Sequence, residues 1–457
     1  MNPTIDILIA GASGFIGSRL IPELLTKFPN AQITALSRIE QTSHHAQIKW
    51  VACDLFSLKS LEESVPEKVD LAFYLVHSMG PTAQLDQGSF ADYDLLLADN
   101  FARILATKNP QQLIYLGGLI PESIKLSLHL QSRLEVEETF AQYRLPMTVF
   151  RAGLILGRGG SSFQILLKLV KRLPVMVCPH WTQTETTPVG LDSVIDALAT
   201  ASLDQRSFHK IYDLADCEPM TYMEMMKETA KAIGTRRLFL SVPFFTPTLS
   251  RLWVSLITNT PKNLVYPLVE SLRHPMVARN DHSFFSAMPK KNFIDLLNQV
   301  SLKTVAGRSP FRFQAQRKTV RSVQRLPLPV GKNAEWVLSQ YYEWLPGFLF
   351  PLVKVIVDGP MVAFCLATKH LQMLQMTFHS ERSNKDRQLL YLNGGLLVTT
   401  ELRGRLEFRV VLNRKYVLAA IHNYKPALPW FIYKYTQAKI HLIVMKSFAQ
   451  HLAKAAK

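Results

Sequence analysis

Residues 11 to 17 read Gly-Ala-Ser-Gly-Phe-Ile-Gly. They follow the apolar run Ile5–Ala10 and lead into a helical pattern, Gly17–Lys27, which stops at Pro29-Asn30. Three glycines at this spacing let a strand turn sharply into a helix and leave the first N–H groups of that helix facing outward. A strand, a glycine turn and a helix together open a βαβ unit. Further short apolar runs follow at Gln32–Leu36, Ile48–Ala52, Leu71–Val76, Leu113–Leu116 and Met147–Phe150, with helical patterns at Leu96–Thr107 and His129–Tyr143. This alternation predicts an α/β fold, a Rossmann-like doubly wound parallel sheet. Residues 151–300 read as the extension that completes it, with helices at Phe163–Arg172 and Tyr222–Ala232.

The outward N–H groups and the positive end of the helix dipole suit a pyrophosphate, so Gly11, Ser13, Gly14, Phe15, Ile16 and Gly17 are expected to cradle a dinucleotide. The end of the second strand bears on which one. NAD sites place an acid there for the ribose 2′-hydroxyl, whereas this chain reads Ala35-Leu36-Ser37-Arg38 with no acid before Glu40. Ser37 and Arg38 suit a 2′-phosphate, because guanidinium pairs with phosphate through two bonds. NADP(H) is therefore favoured over NAD(H). The alternative is that Arg38 is an ordinary loop residue.

These residues resemble the atypical, extended short-chain dehydrogenase/reductases, within their NmrA-like NAD(P)H-binding branch. Cys53-Asp54-Leu55 resembles the family's adenine-contacting Asp-Leu, so Asp54 and Leu55 are implied cofactor contacts. Leu75-Val76-His77-Ser78-Met79 lies where the family's chain passes under the cofactor, which implies Val76 and His77. Arg151-Ala-Gly153 with Gly157, Thr187-Pro-Val189 with Asp192, and Tyr212-Asp-Leu-Ala with Thr221-Tyr222 resemble later family segments. A bacterial subgroup with motifs like Leu75–Met79, His129–Arg133 and Val320–Pro327 also carries an extra C-terminal domain. For that domain a helix-grip, lipid-cavity type of α+β fold is expected.

One departure bears on chemistry. Catalytic members of the family use Tyr-x-x-x-Lys on the helix after the fifth strand and a hydroxyl at the strand's end. Here the same spacing gives His129-Leu-Gln-Ser-Arg133, and the strand ends in Gly117-Gly118. Arg133 could hold a ribose but does not readily release a proton. His129 could act as acid or base, since histidine titrates near neutrality, and His77 is a second candidate. The other reading is a site that binds cofactor without chemistry, as in a sensor or assembly factor. A literal Tyr435-x-x-x-Lys439 lies far from this context.

The formal charge is divided unevenly. Residues 1–300 balance at 28 basic and 28 acidic side chains, whereas residues 301–457 carry 24 basic against 7 acidic, the whole of the +17. Such a block attracts anionic partners, an inner membrane surface among them, or is simply a basic soluble domain. Its aromatic runs, Tyr341–Phe350 and Trp430–Tyr435, are either core or an interfacial patch. No nucleic-acid signature accompanies them. Residues 301–330, with seven Lys or Arg from Lys303 to Arg325, read as a basic linker, and residues 331–457 as the domain beyond it.

Cys53, Cys178, Cys217 and Cys365 form no CxxC pair, and His44-His45 lacks partner ligands, so neither a disulfide framework nor a metal site is implied. No uncharged stretch reaches the ~18 residues of a spanning helix. A cytoplasmic oxidoreductase or epimerase-type enzyme with an apolar substrate is the expected function.

Overall fold

The structure is a computed structural model. It describes residues 4–42, 45–78, 83–122, 125–242, 247–279, 282, 284, 290–300, 319–368, 370–399 and 404–455. His44, Met79 and residues 301–318 of the expected linker lie outside them. The chain divides into two compact units, residues 1–79 with 100–312, and residues 80–99 with 313–457.

The first unit is built on a seven-stranded parallel sheet. Its spatial order is Ile48–Ala52, Ala31–Ser37, Ile5–Ala10, Leu71–Tyr74, Gln112–Gly118, Met147–Ala152 and Ile211–Leu214. The central strands are buried on both faces: Ile7 to Ala10 and Leu71 to Tyr74 are all interior. This explains why they read as continuous apolar runs rather than alternating ones. On one face Ile7 and Ile9 pack with Leu20 and Leu24 of the helix Gly17–Lys27. On the other, the rings of Tyr74, Phe101, Tyr115 and Phe140 meet at 5.0–6.1 Å. The strand order reverses beside Ile5–Ala10, so the glycine turn sits at the crevice where α/β sheets of this kind bind ligands.

Residues 151–300 add a second apolar core, with Phe163, Leu167, Met225, Val265 and Leu297 drawn from four helices. The helix Tyr222–Ala232 begins where it does because of a capping box. Thr221 Oγ1 accepts the Glu224 N–H, and the Glu224 carboxylate accepts the Thr221 N–H, which satisfies two otherwise orphaned donors.

The second unit is an eight-stranded sheet. Seven strands, Val353–Asp358, Met361–Leu366, Gln372–Phe378, Arg387–Gly394, Arg405–Val411, Tyr416–Tyr424 and Val320–Pro327, pair antiparallel in that order. The eighth, Leu85–Gln87, runs parallel to Val320–Ser322. One face packs on the helices Ala334–Phe348 and Gln437–Ala455, where Tyr341, Phe364, Phe408 and Phe448 fill the interior. The opposite face carries ions. Arg325 Nε donates to Asp92 (2.8 Å), Arg409 to Asp99 (2.8 Å), and Arg387 and Arg409 converge on Glu407.

Two sequence expectations change here. Val320–Pro327 was expected in a linker and is a strand, its Arg321 and Arg325 placed on the ionic face. Residues 80–99 were expected in the N-terminal domain and cluster with the second unit. The helix expected at Leu96 starts at Phe90 and contributes Asp92, Asp94 and Asp99 to that unit. Part of the basic block is thus neutralised internally.

Candidate dinucleotide and substrate site

The glycine turn is fixed by backbone packing. Gly11 has φ +87°, and a Cβ there would lie 2.8 Å from the Leu75 carbonyl oxygen. A Cβ on Gly17 would lie 2.5 Å from the Gly11 oxygen and 2.7 Å from Ala12 Cα. The Gly14 N–H donates to the Gly11 carbonyl at 3.0 Å and closes the turn. The helix beyond it has no side-chain cap and no acid in its first turn. A cradle kept open in this way, at a positive helix end, fits a pyrophosphate.

Ser37 Oγ donates to Ser13 Oγ at 3.3 Å and ties the end of its strand to the glycine turn. Arg38 follows, exposed. Asp54 is exposed, and its Oδ1 accepts the Phe56 N–H at 3.1 Å in a tight turn that also fixes Leu55. The Phe15 ring packs into the Gly157–Gly160 turn, where a Cβ on Gly157 would meet it at 2.7 Å. Its side chain therefore joins the turn to the pocket extension. Ile16 is buried at the start of the helix.

Gly118 opens a cavity of about 150 Å³. Its wall is almost wholly apolar, with Leu154, Leu166, Val254, Val265 and Met276 prominent, and Trp181 and Tyr222 supply rings. His129 lies on the same wall. Ser127 caps its helix by accepting the Leu130 N–H, which puts His129 in the first turn. Its Nδ1 is 2.9 Å from Ser271 Oγ, which is 3.0 Å from Ser127 Oγ and 3.0 Å from the Pro267 carbonyl. The carbonyl can only accept, so it takes the Ser271 proton. Ser271 then accepts from Ser127 and from His129 Nδ1–H. In its neutral form a ring held in this way carries its proton on Nδ1. The His77 ring faces His129 at 5.3 Å between centroids, with Val76 half-buried before it and Ser78 buried after it.

Arg133 is not on the cavity wall. It is 5% exposed, and a Cβ on Gly118 would lie 3.7 Å from its Cγ, an ordinary contact. A Cβ would fit at that position without strain. Deeper in, Arg151 grips Glu137 through two bonds of 3.0 and 2.6 Å. Burial pushes the Glu137 pKa up against the pull of Arg151. Asp213 accepts from Arg279, and Asp216 accepts the Gly190 N–H and binds Ser193 and Lys291. These carboxylates pin the segments that close the pocket. Tyr435 and Lys439 sit on two different helices of the second unit, both exposed, with the ammonium 5.3 Å from the ring centroid.

Ser271 and the cavity itself escaped the sequence reading. A serine in an unremarked helix, Lys262–Ser271, carries no pattern that distinguishes it.

The parallel sheet and its glycine turn at the strand reversal give the first unit a Rossmann-like fold with a dinucleotide-type crevice. Residues 7–120 match the NAD dependent epimerase/dehydratase family. Auxiliary protein GraX of Staphylococcus aureus is 26% identical over 114 residues, 24% of this chain and 36% of that protein. The match thus spans about a third of the curated relative. A nucleoside-diphosphate-sugar epimerase from Staphylococcus aureus shares the fold at TM-score 0.51 and 12% identity, covering 64% of this chain and 99% of that one. The NADPH-dependent quinone oxidoreductase of Escherichia coli, complexed with NADPH, does so at 0.50 and 15%, covering 65% and 99%. The triphenylmethane reductase of Citrobacter does so at 0.50 and 17%, also covering 65% and 99%.

Proposed function

We propose that the first unit is an NADP(H)-dependent oxidoreductase for an apolar, ring-bearing substrate, with His129 as its proton donor and acceptor. The observation that carries this reading is the apolar cavity with His129 on its wall. A sugar nucleotide placed there would leave its hydroxyls without partners, at a cost of about 1–3 kcal/mol each. An apolar ring system would not. Relatives of the same fold that are named as a quinone oxidoreductase and a triphenylmethane reductase are in keeping with that substrate class.

The bound nicotinamide dinucleotide would supply or accept hydride. Gly11, Gly14 and Gly17 hold its pyrophosphate, Arg38 and Ser37 its 2′-phosphate, and Asp54 its adenine side. Ser271 holds the His129 Nδ1 proton and so orients the ring, and Nε2 gives or takes the substrate proton. The apolar wall keeps water from competing for that proton.

Two measurements test this. In fluorescence titrations, Arg38→Ala lowers NADPH affinity about tenfold or more and leaves NADH affinity nearly unchanged, as expected when a charge-assisted phosphate contact is lost. Equal losses for both cofactors would refute the 2′-phosphate assignment. In stopped-flow turnover with a quinone panel, His129→Gln lowers kcat by about 10²–10⁴-fold, the usual weight of a general acid or base, with NADPH binding kept. Full turnover in that variant would remove His129 from the chemistry. NADPH binding without turnover of any quinone by the wild type would favour a non-catalytic sensor.

A further inference from the structure

The second unit exposes apolar side chains where a surface helix normally places polar ones. In Gln437–Ala455 the inward stripe is Ala438, Val444, Met445, Phe448 and Leu452, all buried. The opposite stripe of the first half is Lys439, Ile440, Leu442, Ile443 and Lys446, all exposed, with Ile443 at 59% and Ile440 at 54%. Helices that pack on one side only are apolar on one side only, so this second apolar stripe has no explanation in the core of the unit. The preceding helix, Trp430–Tyr435, continues the pattern. It buries Tyr433 and exposes Phe431 (74%), Ile432, Lys434 and Tyr435. The side chains touch one another. Phe431 and Tyr435 rings lie 5.2 Å apart, and the Lys434 and Lys439 ammonium groups lie 5.6 and 5.3 Å from the centre of the Tyr435 ring. The result is one surface of apolar residues interleaved with lysines.

Charge selects the occupant. From Val410 to Lys457 the sequence contains eight Lys or Arg and no Asp or Glu. A second copy of the chain docking here by symmetry would set Lys434, Lys439 and Lys446 against their own equivalents with no carboxylate from this segment to pair them. Single-stranded nucleic acid is held by stacking on aromatic faces, which Ile440, Leu442 and Ile443 do not offer. An anionic lipid surface matches both features: acyl chains receive the aliphatic and aromatic side chains, and phosphate headgroups receive the lysines. Among the described residues no helix is long and apolar enough to cross a membrane, so contact by this face would lie in the interface.

We propose that the exposed face of Trp430–Tyr435 and the first half of Gln437–Ala455 docks on an anionic lipid bilayer, with Phe431, Tyr435, Ile440 and Ile443 inserted and Lys434, Lys439 and Lys446 at the headgroups. This goes beyond the proposed redox role and does not depend on it. The test is flotation of the full-length protein with vesicles of phosphatidylcholine alone or of phosphatidylcholine with phosphatidylglycerol. Two variants accompany it, Lys434→Glu with Lys439→Glu, and Ile440→Ser with Ile443→Ser. All four positions are exposed, so the fold is kept, and unchanged NADPH titrations and melting curves verify this. The expected result is binding to the phosphatidylglycerol vesicles only, weakened by salt and reduced at least tenfold in each variant. Failure to bind those vesicles overturns the proposal. So does binding that survives Ile440→Ser with Ile443→Ser, which would mean diffuse adsorption of a basic protein. A dimer in sizing experiments that the isoleucine variant dissolves would assign the face to a second copy and also overturn it.

Discussion

Replacing Arg409 with methionine is expected to destabilise the second unit by about 3–5 kcal/mol, the usual result of removing one partner from a buried ion cluster. Arg409 is 1% exposed and lies between Glu407 and Asp99, both equally buried. Methionine fills much of the space but takes the Arg409 guanidinium away from both Asp99 and Glu407. Denaturant unfolding followed by tryptophan fluorescence checks this, since Trp336 and Trp344 lie in the affected unit. A loss below about 1 kcal/mol, the range of solvated surface pairs, would mean that the cluster is hydrated. The pH dependence has a definite sign. Burial alone would raise the Glu407 pKa, but Arg409 and Arg387 outweigh it and hold the carboxyl well below its ordinary 4.5. A group with a depressed folded pKa contributes stability that is complete above its unfolded value and declines as pH falls toward the folded one. The wild type should therefore lose stability progressively below about pH 4, and the Arg409→Met variant should show a shallower dependence over the same range.

In the first unit, Gly17→Ala is expected to lower dinucleotide affinity about ten- to a hundredfold. The added Cβ would meet only backbone: the Gly11 and Ala12 oxygens at 2.5 and 2.8 Å and Ala12 Cα at 2.7 Å. Side chains can rotate away from such a contact, but this turn must open. One methyl forced into a filled space costs about 1–3 kcal/mol, and here the strain falls on the groups that face the pyrophosphate. The substitution also separates its own causes. Gly17 is the first residue of its helix, and alanine favours helix over glycine by up to about 1 kcal/mol. A folded variant that has lost affinity therefore locates the defect in the turn. Calorimetric titration with NADPH beside a melting curve reads both. Unchanged affinity would place the pyrophosphate elsewhere.

What could be read in the sequence followed the physics of repetition. The strand Ile5–Ala10, the helix Gly17–Lys27 and the helix Tyr222–Ala232 fall where periodicity and punctuation put them, because each packs a regular face or carries its own start signal. Features without a period could not be read. Leu85–Gln87 is three residues long, too short to show alternation, and its partner Val320–Pro327 was hidden by its two arginines and its closing proline. Arg325 looked solvent-exposed because the aspartate that faces it, Asp92, lies 233 residues earlier in the chain. The candidate site divides in the same way. Its glycine turn, Gly11–Gly17, is a local pattern in the sequence, whereas Ser271 reaches His129 across 142 positions and has no local mark.

Leu85–Gln87 belongs to a sheet whose other strands begin only at Val320, and the first turns of the helix Phe90–Ala106 cluster with it. During synthesis at about 5–20 residues per second, they emerge from the ribosome roughly ten to fifty seconds before their first strand partner exists. For that interval Asp92, Asp94 and Asp99 remain hydrated and the strand edge of Leu85–Gln87 remains unpaired. The second unit is therefore not an appendage that the chain could gain or shed at a boundary near residue 300. A shortened gene product ending there would expose an orphaned segment in its middle, and the nascent full-length chain passes through that same state each time it is made.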